Sequence, residues 1–264
     1  MVLTLGGDHS IAIGTVSGTA RAIRERFGGR RELAVVWVDA HADINTPETS
    51  DSGNVHGMPL AWLTGLARAD RERREIFGWL DGGDGAGATD STATATANGS
   101  GGAANGVKEG EKKKKGGGAS EETAAAALSL RKLVYIGLRD VDPGEKAILR
   151  EHGIRAFSMN DIDRHGIGRV MDMALAHIGQ DTPIHLSFDV DALDPQWAPS
   201  TGTPVRGGLT LREGDFICEC VHETGSLVAM DLVEVNPLLV DDGREETVRA
   251  GVSLVRCALG DTLL

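Results

Sequence analysis

The stretch "VVWVDAHADIN" places chemically active side chains directly after an apolar run. Asp39, His41 and Asp43 occupy alternate positions there, and each is costly to leave unpaired away from water. In an extended segment side chains alternate, so we expect these three to point to the same side, about 7 Å apart. Two carboxylates and an imidazole on one face are a candidate set of metal ligands.

Two other segments repeat this arrangement. "HLSFDVDALDP" carries Asp189 and Asp191 after another apolar run, and in "LGGDHS" the glycines permit a tight turn before His9. A single Asp after a strand is commonly a helix cap, and a single His is usually an ordinary polar group. Three such segments at equivalent strand ends are hard to explain in that way, and their carboxylates would repel one another unless cations lay between them.

The ligand types indicate which metal to expect. Carboxylates with only two imidazoles and no thiolate suit Mn²⁺ or Mg²⁺ better than structural zinc. Bridging aspartates favour two ions about 3.5–4 Å apart that hold an activated water between them. The pattern therefore predicts metal-assisted hydrolysis.

The elements that position these residues alternate along the chain. Helical patterns separate short β-branched runs, which is typical of an α/β fold with a mainly parallel sheet covered on both faces. Ligands of such sheets collect beyond the carboxyl ends of the strands, where the polar segments fall. The predicted strands are Val2 to Leu5, Leu33 to Val38, Lys132 to Ile136, Ile154 to Phe157, Ile184 to Val190 and Leu227 to Val233. The predicted helices are Ala12 to Phe27, Glu145 to His152, Asp161 to Ile178, Arg212 to His222 and Glu245 to Leu259.

One region departs from this alternation. From about Asp81 to Thr123 the chain is rich in Gly, Ala, Ser and Thr with a lysine run, which predicts a disordered low-complexity insertion within one domain of residues 1–264. The chain also enters an interior-type strand after one residue, so we expect outer N-terminal strands to be missing.

The net charge of −12 opposes nucleic-acid binding. The absence of an apolar span or signal pattern predicts a soluble, cytoplasmic protein without membrane contact.

The motifs "GGDHS", "DAHADIN", "SFDVDALDP" and "GTPVRGGL" together resemble the ureohydrolases, which hydrolyse guanidino groups at a binuclear manganese centre. The resemblance implies a three-layer α/β/α domain of the arginase/deacetylase-like class. It also implies two Mn²⁺ ions per subunit, with Asp39 and Asp189 as bridges. One ion would have the ligands His9, Asp39, Asp43 and Asp189, and the other would have Asp39, His41, Asp189 and Asp191.

Residues outside the metal ligands resemble the arginases among these enzymes. In "INTPETSDSGNVHGMP", Asn45, Ser52 and Asn54 would contact the α-carboxylate of arginine. In "YIGLRDVDPGE", Asp142 would contact the α-amino group, with Glu145 nearby. Agmatine has no α-carboxylate, so Asn45, Ser52 and Asn54 would have no such contact to make in an agmatinase.

The implied reaction is the hydrolysis of L-arginine to L-ornithine and urea by a metal-bridging hydroxide. Glu234 would hold the planar guanidinium, which matches a carboxylate fork, and Thr203 would contribute a hydroxyl to the same end. Asp43 would orient the hydroxide. His56 would act as the proton shuttle to the departing amine, because imidazole suits proton transfer near neutral pH.

Several alternatives remain. Another ureohydrolase, an agmatinase or guanidinobutyrase, is the nearest, and a non-catalytic metal-binding regulatory protein comes from a different class. A third alternative, a binuclear phosphatase, would require more basic residues near the metal motifs to bind phosphate.

The resemblance further implies a homo-oligomer, a trimer or hexamer, that acts on a small-molecule substrate, L-arginine. Trp37 is interpreted as a packing residue.

Overall fold

The architecture follows from apolar strands buried on both faces. The computed structural model describes residues 1–67, 126–240 and 244–262. Within them, parallel pairing builds a single sheet in the order β1-β6-β5-β2-β3-β4. The strands are β1 Val2–Leu5, β2 Ala34–Val38, β3 Leu133–Leu138, β4 Arg155–Ser158, β5 Ile184–Asp189 and β6 Leu227–Val233.

Helices cover both faces of the sheet, as the sequence predicts. We number the described helices α1 Ala12–Phe27, α2 Pro59–Leu63, α3 Pro143–Glu151, α4 Met159–Ile178, α5 Leu211–Glu223 and α6 Arg244–Ala258. Helices α1 to α3 contribute to the core on one face, and α4 to α6 contribute to the core on the other. The prediction of an α/β domain with a parallel sheet is confirmed, and each predicted strand and helix is present with bounds shifted by at most two residues.

The central strands carry the most apolar sequence because neither of their faces meets water. Every residue of β2, β3 and β5 is buried, which is the pattern of interior parallel strands. The carboxyl ends of β2 and β5 are adjacent, since Val38 pairs with Phe188. The two aspartate-rich segments that follow these strands therefore begin side by side.

Strand β3 bends at its end, where it meets the segment after β2. Its register against β4 shifts between Ile136 and Leu138, and Gly137 between them has a φ of 99°. A Cβ on Gly137 would lie 3.2 Å from the Asp39 carbonyl oxygen, so glycine allows the close approach. The backbone N–H groups of Arg139 and Asp140 then donate to the Ala40 carbonyl at 2.9 and 3.0 Å.

The predicted insertion at 81–123 lies outside the described residues. In the described ranges, none of the helices is long and apolar enough to cross a membrane.

Candidate metal centre and active site

The three polar segments converge at the carboxyl end of the sheet, although not in the way that strand alternation suggests. Strand β2 ends at Val38, before the first ligand candidate. The backbone then turns, and Asp43 takes a left-handed conformation with φ 49°. Such a conformation strains a residue with a side chain. Because the segment turns after Val38 and is not extended as far as Asp43, the prediction of one extended ligand face is wrong in detail. The turn is what brings Asp43 back towards His9.

One group of ligand candidates surrounds the His9 ring. Its Nδ1 lies 3.1 Å from Asp39 Oδ2, 3.3 Å from Asp43 Oδ2 and 3.1 Å from Asp189 Oδ2. His9 follows the turn after β1, and its side chain is buried. Three carboxylates from two strand ends therefore face one imidazole nitrogen, and two of them, Asp39 and Asp43, are close enough to each other and to His9 to share one cation.

A second group shares Asp39 with the first. His41 Nδ1 lies 3.1 Å from Asp191 Oδ2 and 3.4 Å from Asp39 Oδ1. The Asp191 backbone N–H donates to Asp189 Oδ1 at 2.8 Å, which fixes the short turn between these two aspartates. The two oxygens of Asp39 thus face different groups, which is the arrangement of a bridging carboxylate.

The electrostatics of the cluster favour bound cations. Burial raises the pKa of Asp43, Asp189 and Asp191, and the neighbouring carboxylates raise these three pKa values further. Burial alone would lower the pKa of His41, but its contacts with Asp191 and Asp39 raise it to about 12. Without metal, protons on the imidazoles have to balance the carboxylates, and divalent cations would take that role.

The backbone around the strained Asp43 is held on both sides. The Tyr135 hydroxyl donates to the Ala42 carbonyl at 2.8 Å. Glu145 Oε1 accepts from the Ile44 N–H at 3.1 Å, and Glu145 Oε2 accepts from the Asp142 N–H at 3.0 Å. Tyr135 and Glu145 are buried, so this local structure is fixed by two side chains outside the ligand set.

A cavity of about 240 Å³ opens above the cluster. It brings together the residues that the sequence assigns to substrate and to proton transfer. They are Asn45, Ser52, Asn54, His56, Asp142, Glu145, Thr203 and Glu234, and they line it with His41, Asp43, Asp189 and Asp191.

Several of these residues also contact one another. Asn45 Nδ2 donates to Asp142 Oδ2 at 2.9 Å, and the Thr203 hydroxyl donates to Asp191 Oδ2 at 3.1 Å. Glu234 has a φ of 61°, and its Oε1 accepts from the His9 N–H at 2.9 Å. His56 is exposed on the short turn Val55–Gly57. The cavity is therefore lined by carboxylates at its base and by polar side chains at its opening, and this negative lining is suited to a cationic ligand.

Three residues with close contacts to the ligands were not predicted from the sequence. The Trp37 indole N–H donates to Asp39 Oδ2 at 2.9 Å, and its ring stacks on His9 with centroids 3.8 Å apart. The Ser187 hydroxyl lies 2.8 Å from His9 Nε2. Arg139 donates to the Asp191 carbonyl. Sequence spacing gives one available signal, because Trp37 and Ser187 lie two residues before Asp39 and Asp189, close to the ends of β2 and β5.

The chain is similar to known proteins along nearly its whole length. The sequence pattern that defines the Arginase family matches residues 1–260. The chain belongs to the arginase family. Arginase from Neurospora crassa is 66% identical over 267 residues, which cover 100% of this chain and 62% of that protein. The chain thus spans less than two thirds of the length of this curated arginase.

Solved arginase structures share the fold. An arginase structure from Bacillus subtilis superposes with a TM-score of 0.74 at 35% identity, covering 99% of this chain and 70% of that one. Entamoeba histolytica arginase in complex with L-ornithine gives a TM-score of 0.72 at 27% identity, with coverages of 98% and 69%. The family membership and the parallel α/β architecture therefore agree with the motifs read from the sequence.

Proposed function

We propose that the protein is an arginase that hydrolyses L-arginine to L-ornithine and urea. The observation that carries the proposal is the cavity, in which residues suited to a guanidinium, an amino acid and proton transfer all surround one double cluster of metal ligands. The similarity to arginase from Neurospora crassa supports it, and so does the similarity to an arginase solved with L-ornithine.

The donor set fits two divalent cations, which we propose to be Mn²⁺. His9, Asp39, Asp43 and Asp189 would hold one ion, and Asp39, His41, Asp189 and Asp191 would hold the other. Carboxylate-rich sites with imidazole and no thiolate favour manganese over structural zinc. When bound, the pair would supply a water that is activated near neutral pH.

The chain's own residues would then bind the substrate in one orientation. Glu234 lines the cavity beside His9 and would hold the guanidinium by charge, and Thr203 would add a hydroxyl contact. Asn45, Ser52 and Asn54 would receive the α-carboxylate at the rim. Asp142 would receive the α-amino group, and Glu145 would support that end of the site, because both of its oxygens already accept backbone N–H groups.

Proton movement completes the proposed reaction. Attack of water on the guanidinium carbon forms a C–O bond, and breaking the C–N bond to the side chain releases ornithine and leaves urea. Overall, the two protons of the water end on the departing amine. Asp43 would accept a hydrogen bond from the attacking water and orient it. His56 is exposed to the cavity and would deliver a proton to the departing amine.

Urea release from L-arginine and from agmatine tests the proposal. We expect strong preference for arginine, and Ser52→Ala and Asn54→Ala should raise KM for arginine without changing weak turnover of agmatine, which has no α-carboxylate. His56→Asn should lower kcat at unchanged metal content. A preference for agmatine would instead indicate an agmatinase, and folded, metal-loaded protein inactive on every guanidino compound would indicate a regulatory protein.

The resemblance also supports proposals about the setting of the enzyme. We propose a homo-oligomer of three or six subunits that acts in the cytoplasm on a small-molecule substrate. The net charge of −12 supports the absence of a nucleic-acid partner. Light scattering on the purified protein measures the subunit number directly.

A further inference from the structure

Arg139 is a half-buried arginine whose side chain is bound almost entirely by backbone carbonyls. Its Nε and Nη2 donate to the Val205 carbonyl at 3.2 and 2.7 Å. Nη1 donates to the carbonyls of Gly137 and Ala192 at 3.4 and 3.0 Å. Nη2 also donates to the carbonyls of Asp191 and Leu193 at 2.6 and 3.3 Å. No described carboxylate forms an ion pair with this guanidinium, so its partners are peptide groups of the surrounding loops.

These bonds connect the segments that supply the second ligand group. The side chain of Arg139 binds three consecutive carbonyls from Asp191 to Leu193, in the turn that carries the ligand Asp191. Its own backbone N–H donates to the carbonyl of Ala40, which lies between Asp39 and His41. One residue therefore holds both peptide segments that contribute Asp39, His41 and Asp191.

The same guanidinium binds the segment that leads to the substrate side of the cavity. Val205 lies two residues after Thr203, whose hydroxyl donates to Asp191 Oδ2. The guanidinium has five N–H donors in a rigid plane, and all three of its nitrogens are used here. Lysine has three donors on one flexible atom and cannot reproduce this planar pattern.

The charge of Arg139 also acts on the carboxylates of the ligand candidates. The carboxylates of Asp191, Asp39, Asp194 and Asp189 all interact with the guanidinium through their charges. The fixed positive charge therefore opposes the mutual repulsion of these aspartates whether or not ions are bound. In contrast, none of the side-chain hydrogen bonds of Arg139 reaches His9 or the peptide groups next to Asp43, which belong only to the first group.

We propose that Arg139 is the positioning residue of the second metal site, holding the His41 and Asp191 segments in register so that this site binds its ion. The inference rests on the proposed function only in that it takes the double cluster to be a two-ion site. Gly208 lies against the same contact, because a Cβ at that position would lie 2.6 Å from Arg139 Nη2, 2.6 Å from Asp194 N and 2.7 Å from the Leu193 carbonyl carbon.

Stepwise Mn²⁺ binding to metal-free protein tests this assignment without any substrate. We expect Arg139→Lys and Arg139→Gln to weaken the second ion by about 10- to 100-fold, the usual effect of losing a partner outside the ligand shell. The first ion should be weakened less, because His9 and Asp43 belong only to its ligand set and only the bridges Asp39 and Asp189 are shared. Calorimetric titration gives both affinities, and electron paramagnetic resonance shows whether a coupled pair of Mn²⁺ ions forms.

A matched control and a second perturbation make the result decisive. Arg155→Gln removes an exposed arginine on β4, whose guanidinium lies 5.4 Å from the centre of the Phe157 ring, and should change neither affinity. Gly208→Ala keeps every ligand and the charge of Arg139 but displaces the guanidinium together with the Leu193–Asp194 backbone beside it, and should weaken the second ion in the same direction. If both Arg139 substitutions prevented folding, this variant would still show whether the second ion depends on the packing of the guanidinium against this loop.

Three results would overturn the assignment. They are unchanged binding of both ions, equal weakening of both ions, and failure of all three variants to fold while Arg155→Gln folds. The last would assign Arg139 to the stability of the whole domain. Failure of the unaltered protein to release urea would count against the proposed function and would leave the two affinities unaffected.

Discussion

Trp37→Phe is the substitution that most directly separates a packing tryptophan from one that orients a metal ligand. It keeps an aromatic ring against His9 and removes the indole N–H that donates to Asp39 Oδ2 at 2.9 Å. Trp37 and Asp39 are fully buried. No water can replace the lost donor without entering the core, so the ionised oxygen loses a charge-assisted hydrogen bond.

The size of the effect follows from that geometry. Hydrogen bonds to charged groups contribute about 1.5–3 kcal/mol, and we expect the free energy of unfolding of the metal-free protein to fall by about this amount. The first ion should bind about 10- to 100-fold more weakly, because Asp39 Oδ2 is the oxygen that faces the His9 group. Denaturant unfolding and Mn²⁺ titration measure the two quantities.

Trp62→Phe is the control for loss of a buried tryptophan away from the ligands. Trp62 is buried in the same core cluster but lies on α2, so its substitution should reduce stability and leave both ion affinities unchanged. If Trp37→Phe bound both ions normally, Trp37 would be a packing residue after all.

Three further perturbations have defined outcomes. Glu145→Gln places an amide N–H₂ opposite one of the two backbone N–H donors that Glu145 accepts from, so the free energy of unfolding should fall by about 1.5–3 kcal/mol. A change in KM alone, with stability intact, would contradict the role of Glu145 in holding the backbone. Tyr135→Phe frees the carbonyl between His41 and Asp43 and should cost about 1–3 kcal/mol of stability, which thermal unfolding measures against the unaltered protein. Mn²⁺ affinity should rise with pH at any pH below the His41 pKa of about 12, because the metal must displace a proton from that imidazole. Calorimetry in buffers of different ionisation enthalpy should detect the released proton, and pH-independent binding would refute the coupling.

Much of the fold could be predicted because the signal is local. The apolar runs of β2, β3 and β5 are continuous, since both faces of these strands are buried, and parallel strands require helical connections between them. The ligand candidates were likewise visible, because aspartates and histidines directly follow these runs. Their meeting at one edge follows from the polarity of parallel strands.

The support around the ligands could not be predicted because it depends on contacts between distant segments. No local pattern indicates that Arg139 binds carbonyls about 50 to 70 residues away. Tyr135 has the sequence context of an ordinary strand residue. The left-handed turn at Asp43 was missed for the same reason. It is held by Tyr135 and Glu145 from another part of the chain, and alternation along an isolated strand gives no sign of it.

Urea release during stepwise addition of Mn²⁺ to metal-free protein tests the proposed two-ion arginase most directly. With L-arginine as substrate, activity should reach its plateau at two equivalents of Mn²⁺ per chain, disappear with a chelator and return on re-addition of the metal. A folded protein that binds two equivalents and releases no urea from L-arginine would contradict the proposed function.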